Sequence, residues 1–370
     1  MRALAVDRLR GLIIALMALD HASAFIIDRP RLGEFWGAVF PVYSDALPFV
    51  IRAVSHLCAP GFFLLMGASM ALAAENHARG GGDFRELRGH LVRRGLILLV
   101  VQHILVNPGF LVGDPAPSPV PGIGDDVLLY FGVIYGLGAA MIVAAPLLRR
   151  STSTLLILAA ASIASSTVVL PDPARGGEAF SALLRLLWIP GQTDLLMVRY
   201  PLFPWLGVAL LGVVLGRYVA RSPEVLRRRI PALGLACVGV FVVLRAVGLG
   251  DPHVASGGWI EFLNLTKYPP SVDFLLWTLG VDLLLLGLLA RVTRERGPLV
   301  TFGQAALFFY VVHLYLYGAL ARVLDAAAPG AGYVAMLGWW IAGLVVLLPL
   351  CAAYGRFKRG RPRGSVWRYF

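Results

Sequence analysis

Long apolar runs alternate along the chain with short stretches that are polar or rich in Gly and Pro. Most runs have the ~20 residues that an α-helix needs to cross about 30 Å of hydrocarbon. The pattern predicts an all-α, polytopic integral membrane protein of about ten transmembrane helices that form one domain over residues 1–370. The predicted spans are approximately residues 10–27, 48–74, 91–107, 126–147, 153–170, 201–219, 230–248, 271–290, 299–322 and 332–355.

One apolar stretch, Phe180–Ile189, is too short to cross a membrane, and we interpret it as an interfacial or re-entrant helix. An eleventh span is the alternative at this place. Composition agrees with a membrane protein, since 58% of residues are hydrophobic, 15% are charged and the mean hydropathy is +0.76. A soluble protein of this length needs a larger charged surface to remain in solution.

Basic residues alternate between the two predicted sides of the membrane, and an eleventh span would break this alternation. Counted at alternate span ends, 24 of the 33 Lys and Arg residues fall on the side of the N-terminus. Because cytoplasmic loops are enriched in Lys and Arg, the pattern predicts that both termini are cytoplasmic. The net charge of +12 would suggest nucleic acid in a soluble protein. In this apolar chain it indicates cytoplasmic loops, and we expect membrane lipid and no nucleic acid as partners.

The first run has a second interpretation as a signal peptide. Three arginines precede it, and Ala22-Ser23-Ala24 has the small residues of a cleavage site. Asp20 and His21 inside the apolar region argue against a signal peptide, and the charge alternation requires this helix. We therefore treat it as the first transmembrane helix.

Ionisable side chains stand within several predicted spans, where they are costly and mark functional sites by default. At a rise of 1.5 Å per residue, His21, His56, His103 and His313 lie at the membrane midplane or in its outer half, and Asp282 lies near the middle. A layer of imidazoles suits general base catalysis or a proton path, because imidazole changes charge near neutral pH. Each His alone also has the ordinary interpretation of a packed side chain. Their spacing does not match metal ligands, so we expect no metal.

Arg10 and His21 share one face of the first helix. Eleven residues at 100° each bring them within about 20° of each other. A long ligand with an anionic head and a reactive tail fits such a face, because Arg binds phosphate through a bidentate fork. Arg93 and Arg94 open the third span on the same side. They are either cytoplasmic anchors or, with Arg10, a basic collar for a nucleotide diphosphate.

A polar and aromatic segment, Asn264–Ser271, enters the eighth span from the outer side. It contains Lys267, the only Lys before the C-terminal tail, and Tyr268. The segment predicts either the mouth of a site for an acceptor such as a sugar or a helix start within an aromatic belt. Asp20 and Asp282 are the other substrate-side candidates.

Four segments of the chain carry a resemblance to a known family, and the first two are the most specific. The segments are Asp7-Arg8-Leu9-Arg10-Gly11 with Met17 and Asp20-His21, His56-Leu57-Cys58-Ala59-Pro60-Gly61-Phe62-Phe63-Leu64-Leu65-Met66-Gly67, Lys267-Tyr268-Pro269-Pro270-Ser271, and Phe302-Gly303-Gln304 with His313. They resemble the heparan-α-glucosaminide N-acetyltransferase catalytic-domain family, especially its bacterial members, over nearly the whole chain. The chain also resembles, more distantly, acyltransferase family three. The shared features are an Arg followed eleven residues later by a His, and a later basic pair.

Both resemblances imply transfer of an acyl group, here an acetyl, from cytoplasmic acyl-coenzyme A to an amine or hydroxyl of an extracytoplasmic acceptor such as a glycan. They imply the bacterial inner membrane as the location. The chain departs from the glucosaminide enzymes at two positions. His21 stands where those enzymes have an Asn, and Leu32 stands where they have their proposed catalytic His. His21 therefore follows the pattern of family three.

From the resemblance we expect Arg10, Arg93 and Arg94 to bind the coenzyme A phosphates. His21 would act as a general base or as a transient acyl carrier, with His56 and His313 as further catalytic candidates. A proton-coupled transporter or flippase that uses the His and Asp layer is the main alternative, and a structural protein is the second. The sequence leaves open the acceptor, the acyl chain and whether the protein forms a homodimer.

Overall fold

The computed structural model describes residues 4–27, 34–113, 129–170, 180–193, 195–222, 224–255, 257–327, 330–362 and 364–369. The helices in these ranges are α1 (Leu4–Ile26), α2 (Ala46–Ser55), α3 (Cys58–Arg79), α4 (Phe84–Val101), α5 (Asn107–Gly113), α6 (Val133–Ala144), α7 (Thr152–Val169), α8 (Ala182–Leu187), α9 (Leu202–Arg221), α10 (Val225–Ala246), α11 (Gly258–Leu263), α12 (Val272–Leu289), α13 (Pro298–Gln304), α14 (Ala306–Ala327) and α15 (Tyr333–Arg359). Three short strands, β1 (Leu129–Phe131), β2 (Gly191–Gln192) and β3 (Leu196–Val198), form one sheet in the order β1-β3-β2, with β1 parallel and β2 antiparallel to β3.

In the described ranges, nine helical segments are long and apolar enough to cross a membrane. They are α1, α2 with α3, α4 with α5, α7, α9, α10, α12, α14 and α15. They correspond to nine of the ten predicted spans and confirm an all-α polytopic membrane protein. The remaining prediction, 126–147, is wrong at its start because Leu129–Phe131 forms β1. Its helical part is the shorter apolar segment Val133–Arg149.

The stretch Phe180–Ile189 contains only the six-residue helix α8. This helix is too short to cross the hydrocarbon, so the alternative of an eleventh span is wrong. The following Trp188 donates from its indole N–H to the hydroxyl of Ser165 at 3.0 Å and stacks on Phe203. These contacts hold the segment against α7 and α9.

Arginine-rich helix ends lie together on one side of the protein, in agreement with the alternation of charge. The start of α1, the end of α3, the end of α9 and the start of α10 line one cavity of about 530 Å³. Arg8 donates to the carbonyl of Leu289 at 3.1 Å, and Arg79 donates to that of Ala220 at 3.1 Å. These carbonyls belong to the last turns of helices, where they lack helical partners, so both arginines stabilise helix ends.

Helix α1 is the most buried of the spanning helices, with 78% of its apolar window buried. It crosses α13 at a pair of glycines. A Cβ at Gly11 would lie well inside 3.0 Å of the carbonyl of Leu299, and a Cβ at Gly303 equally close to that of Asp7. Small residues allow membrane helices to approach this closely. The crossing therefore fixes α13 against the N-terminal half of α1.

The ninth predicted span, 299–322, is divided in the structure. Helix α13 ends at Gln304 and α14 begins at Ala306, because Ala305 leaves helical geometry with φ −114° and ψ 30°. Only α14 is long enough to cross the membrane. The break separates the segment that contacts the start of α1 from the helix that carries His313.

Candidate active site

Two cavities lie end to end beside α1. The larger one, the basic cavity, has a volume of about 490 Å³, and its polar lining residues are Asp7, Arg10, Ser69, Asn76, His90, Arg94, Gln304 and Lys358. The smaller one, the histidine cavity, has a volume of about 50 Å³, and its polar lining residues include Asp20, His21, Arg52, Ser55, Arg199, Tyr200, Lys267 and Tyr268. Phe62, Val133 and Tyr310 line both cavities, so the cavities meet at these three side chains, which we call the neck.

One face of α1 forms a wall of both cavities. Val6, Arg10 and Ile14 line the basic cavity, and Met17 and His21 line the histidine cavity. Their intervals of three and four residues are those of a single helix face. The prediction that Arg10 and His21 share a face is confirmed, with Arg10 in the basic cavity and His21 beyond the neck.

The guanidinium of Arg10 is held by hydrogen bonds at the wall of the basic cavity. It donates to the carboxylate of Asp7 at 3.1 Å, to the carbonyl of Gly303 at 3.1 Å and to the hydroxyl of Ser69 at 2.6 Å. The bond to Gly303 is possible because the two glycines let α13 approach α1. The glycines of two separate sequence motifs thus position this arginine.

The two neighbouring arginines of α4 have different surroundings. Arg94 lines the basic cavity, whereas Arg93 is exposed and does not line it. Consecutive helical residues point about 100° apart, which explains the difference. Among the described residues, the buried Nε of Arg94 has no hydrogen-bond partner. Lys358 of α15 adds a further cation to this cavity.

His21 and His313 form a direct pair, although 292 positions separate them. Nδ1 of His21 lies 2.6 Å from Nε2 of His313, and the two rings are nearly parallel, with an interplanar angle of 12° and centroids 4.9 Å apart. Nδ1 of His313 lies 3.0 Å from the carbonyl of Phe309, which can only accept, so this nitrogen carries the proton. In the neutral pair, Nε2 of His313 then accepts from Nδ1–H of His21. This leaves Nε2 of His21 as its basic nitrogen.

A network of buried charges lies next to the histidine cavity. Arg52 donates to both carboxylate oxygens of Glu34, with Nε to Oε1 at 2.6 Å, and to Asp20 at 2.9 Å. Burial alone raises the pKa of Glu34, but the charge and hydrogen bonds of Arg52 and His56 outweigh it. The pKa of Glu34 therefore lies well below its ordinary value. Asp20 and Arg52 line the cavity, so the network forms part of its wall.

Lys267 and Tyr268 line the histidine cavity, and their backbone is tied to the same network. Their backbone N–H groups both donate to the carbonyl of Glu34 at 3.0 Å. The hydroxyl of Tyr268 lies 3.3 Å from that of Tyr200. Burial raises the pKa of Tyr268, but three nearby cations outweigh burial and bring the pKa below its ordinary value. These cations are Lys267, Arg199 and Arg52.

The expected layer of four histidines does not form one site. His56 contacts Glu34 at 3.3 Å, and His103 lies on a π-helical turn beside Asn107. Neither lines the two cavities. Asp282 is fully buried, lines neither cavity, and its carboxylate has no hydrogen-bond partner in the described part of the chain. Leu32 lies outside the described residues.

Several residues at this site were not singled out by the sequence. Arg52 and Glu34 were not among the candidates, yet they form the ion pair beside the histidine cavity. Arg52 interrupts an apolar helix, and this is the signal that would have identified it. Ser69 and Lys358 carry no distinguishing pattern, since their roles depend on helices that meet only in three dimensions.

Comparison with known proteins agrees with this geometry. Residues 2–248 match the family model described as "Heparan-alpha-glucosaminide N-acetyltransferase, catalytic", which covers more than half of the chain. No curated protein matches the chain. The matched region contains Arg10, His21, the neck residue Phe62 and Arg94, whereas His313 lies beyond it. The protein is a multi-pass membrane protein that belongs to the heparan-α-glucosaminide N-acetyltransferase catalytic-domain family, a family of acetyltransferases.

Proposed function

We propose that the protein transfers an acetyl group from cytoplasmic acetyl-coenzyme A to an amine or hydroxyl of an extracytoplasmic acceptor, such as a sugar, in the bacterial inner membrane. One observation carries the proposal: a single face of α1 runs from a basic cavity to a histidine pair, and the two cavities share the neck residues Phe62, Val133 and Tyr310. With the N-terminus in the cytoplasm, the basic cavity lies on the cytoplasmic side and the histidine cavity further towards the outside.

The basic cavity suits the nucleotide part of the donor. Arg10, Arg94 and Lys358 place three cations in its wall, and guanidinium groups bind phosphate oxygens with charge-assisted hydrogen bonds. Arg93, which we expected to join them, is exposed in the structure, and we do not assign it to the donor site.

The distance along α1 matches the length of the donor. From Arg10 to His21 the helix rises about 16 Å, at 1.5 Å per residue. The pantetheine arm has about thirteen bonds between phosphorus and sulfur, which span roughly 15 Å at ~3.5 Å for every three bonds of extended chain. A donor whose phosphates contact Arg10 therefore brings its thioester to the neck beside His21.

At the neck, His21 is placed to act as a general base. Nε2 of His21 accepts the proton of the acceptor amine or hydroxyl while the acceptor nitrogen or oxygen attacks the thioester carbonyl. The new bond to the acetyl carbon forms, the carbon–sulfur bond breaks, and the proton passes from His21 to the leaving thiolate. His313 acts as a positioning residue, because its Nε2 keeps the proton of His21 on Nδ1.

The acceptor side of the site has a polar wall. Asp20, Lys267 and Tyr268 line the histidine cavity and supply a carboxylate, an ammonium and a phenol to a hydroxylated or amino acceptor. His56 and Asp282 line neither cavity, so we leave them out of the reaction.

Transfer across a sealed bilayer tests the proposal. Protein in proteoliposomes receives labelled acetyl-coenzyme A on one side and glucosamine with methyl glucoside on the other. We expect labelled acceptor, and a loss of roughly 10²–10⁴-fold in His21→Gln at unchanged donor binding. Wild-type transfer rates in His21→Gln would contradict the mechanism. A protein that does not bind acetyl-coenzyme A but moves protons would favour the transporter alternative.

A further inference from the structure

The neck is formed by side chains from separate helices beside the proposed catalytic base. Its three side chains come from three helices: Phe62 from α3, Val133 from α6 and Tyr310 from α14. Phe62 is half-buried, whereas Tyr310 is 4% exposed and stands edge-on to the ring of His21 at 6.2 Å. The neck therefore adjoins the proposed catalytic base directly.

The volumes on its two sides differ by about a factor of ten. The basic cavity holds about 490 Å³, but the histidine cavity holds only about 50 Å³. At 10–15 Å³ for each water, the smaller volume has room for roughly four molecules of this size. An acetyl group, with three bonded heavy atoms, fits in this volume, and each further methylene fills more of it.

We infer that Phe62, Val133 and Tyr310 limit the acyl chain length of the donor and favour an acetyl over a butyryl group. The inference rests on the proposed function and specifies its donor. A butyryl chain does not fit in the histidine cavity while these three side chains stay in place. Because the arm spans a fixed distance from Arg10 to His21, a longer chain pushes the donor back and weakens its phosphate contacts.

Substitutions in the neck should change which acyl chain the donor site accepts. Phe62→Ala removes an aromatic side chain from the neck and lets a butyryl group enter. Met66→Ala is the matched control, because Met66 lies one turn along α3 and lines the basic cavity only. It enlarges the space around the arm without changing the neck. Phe62→Leu provides a milder change in case Phe62→Ala does not fold.

Calorimetric titration of the detergent-purified protein with coenzyme A, acetyl-coenzyme A and butyryl-coenzyme A tests the inference without an acceptor. We expect wild type to bind the acetyl donor at least ~10-fold more tightly than the butyryl donor, since one methylene in an apolar pocket changes discrimination by about 10–200-fold. Phe62→Ala should reduce this ratio to about 1–3, with Phe62→Leu between the two. Met66→Ala should retain the wild-type ratio.

Two results would overturn the inference. One is equal binding of both acyl donors by wild type, and the other is a fall in the acetyl-to-butyryl affinity ratio in Met66→Ala as large as that in Phe62→Ala. In either case, binding of coenzyme A itself would leave the proposed function intact. If folded wild type bound none of the three compounds, the proposed function would fail, and this inference with it.

Discussion

The close crossing of α1 and α13 predicts a coupled effect of Gly303→Ala on stability and donor binding. A Cβ at this position would lie far inside 3.0 Å of the carbonyl of Asp7, a backbone atom that cannot rotate away. The helices must separate by roughly 1 Å or more, and overpacking of this kind costs about 1–3 kcal/mol. Separation also strains the bond from Arg10 to the carbonyl of residue 303, now 3.1 Å, and bonds of charged donors contribute about 1.5–3 kcal/mol.

We therefore expect Gly303→Ala to lower the melting temperature in detergent by several degrees. We also expect it to weaken acetyl-coenzyme A binding by about 10-fold or more, because Arg10 loses its position. Both quantities can be measured on one preparation, by thermal unfolding and by calorimetric titration. The loss of affinity must appear at a temperature where the variant is still folded.

Gly89→Ala is the matched control, since Gly89 is also helical but a Cβ there would meet nothing within 4 Å. Ala is favoured over Gly in helices by up to about 1 kcal/mol, so this variant should be as stable as wild type or slightly more stable. If Gly303→Ala matched Gly89→Ala in both stability and donor affinity, the crossing would not be the support of Arg10 that we describe.

Three further predictions concern the histidine cavity. His313→Leu should lower the turnover rate by at least ~10-fold at unchanged KM for acetyl-coenzyme A, because His21 loses its preferred tautomer; an unchanged turnover rate would exclude the positioning role. Arg52→Met should destabilise the fold by roughly 3–5 kcal/mol in thermal unfolding, since it removes the cation that pairs with the buried carboxylate of Glu34 and the half-buried carboxylate of Asp20, and a near-neutral result would refute the network. Because the pKa of Glu34 is depressed in the folded state, its contribution to stability is present above the ordinary Glu pKa of about 4.3 and decreases as the pH falls below it. Melting curves from about pH 6 to pH 3 should show a smaller pH dependence in Glu34→Gln than in wild type, and identical slopes would contradict this.

Local pattern carried much of the fold prediction. The length of the apolar runs located nine spanning segments, and the alternation of arginines agreed with helix ends that share one side. The periodicity of an α-helix alone placed Arg10 and His21 on one face. Each of these features is set by residues close together in sequence, either within one helix or through contact with the membrane.

Features that depend on contacts between distant segments could not be predicted. The pair of His21 and His313 joins two helices whose mutual rotation no sequence period specifies. The break at Ala305 is a second example, because hydropathy continues across it while the backbone does not. Arg93 and Arg94 look equivalent in sequence, and only the orientation of α4 distinguishes them.

Arg93 and Arg94 provide the most direct test of the central claim that the basic cavity binds the acyl donor. Acetyl-coenzyme A is titrated into wild type, Arg94→Gln and Arg93→Gln, which remove the same charge from adjacent positions. We expect saturable binding that Arg94→Gln weakens by ~10-fold or more and Arg93→Gln leaves within about 2-fold. Equal effects of the two substitutions, or no binding by folded wild type, would contradict the account.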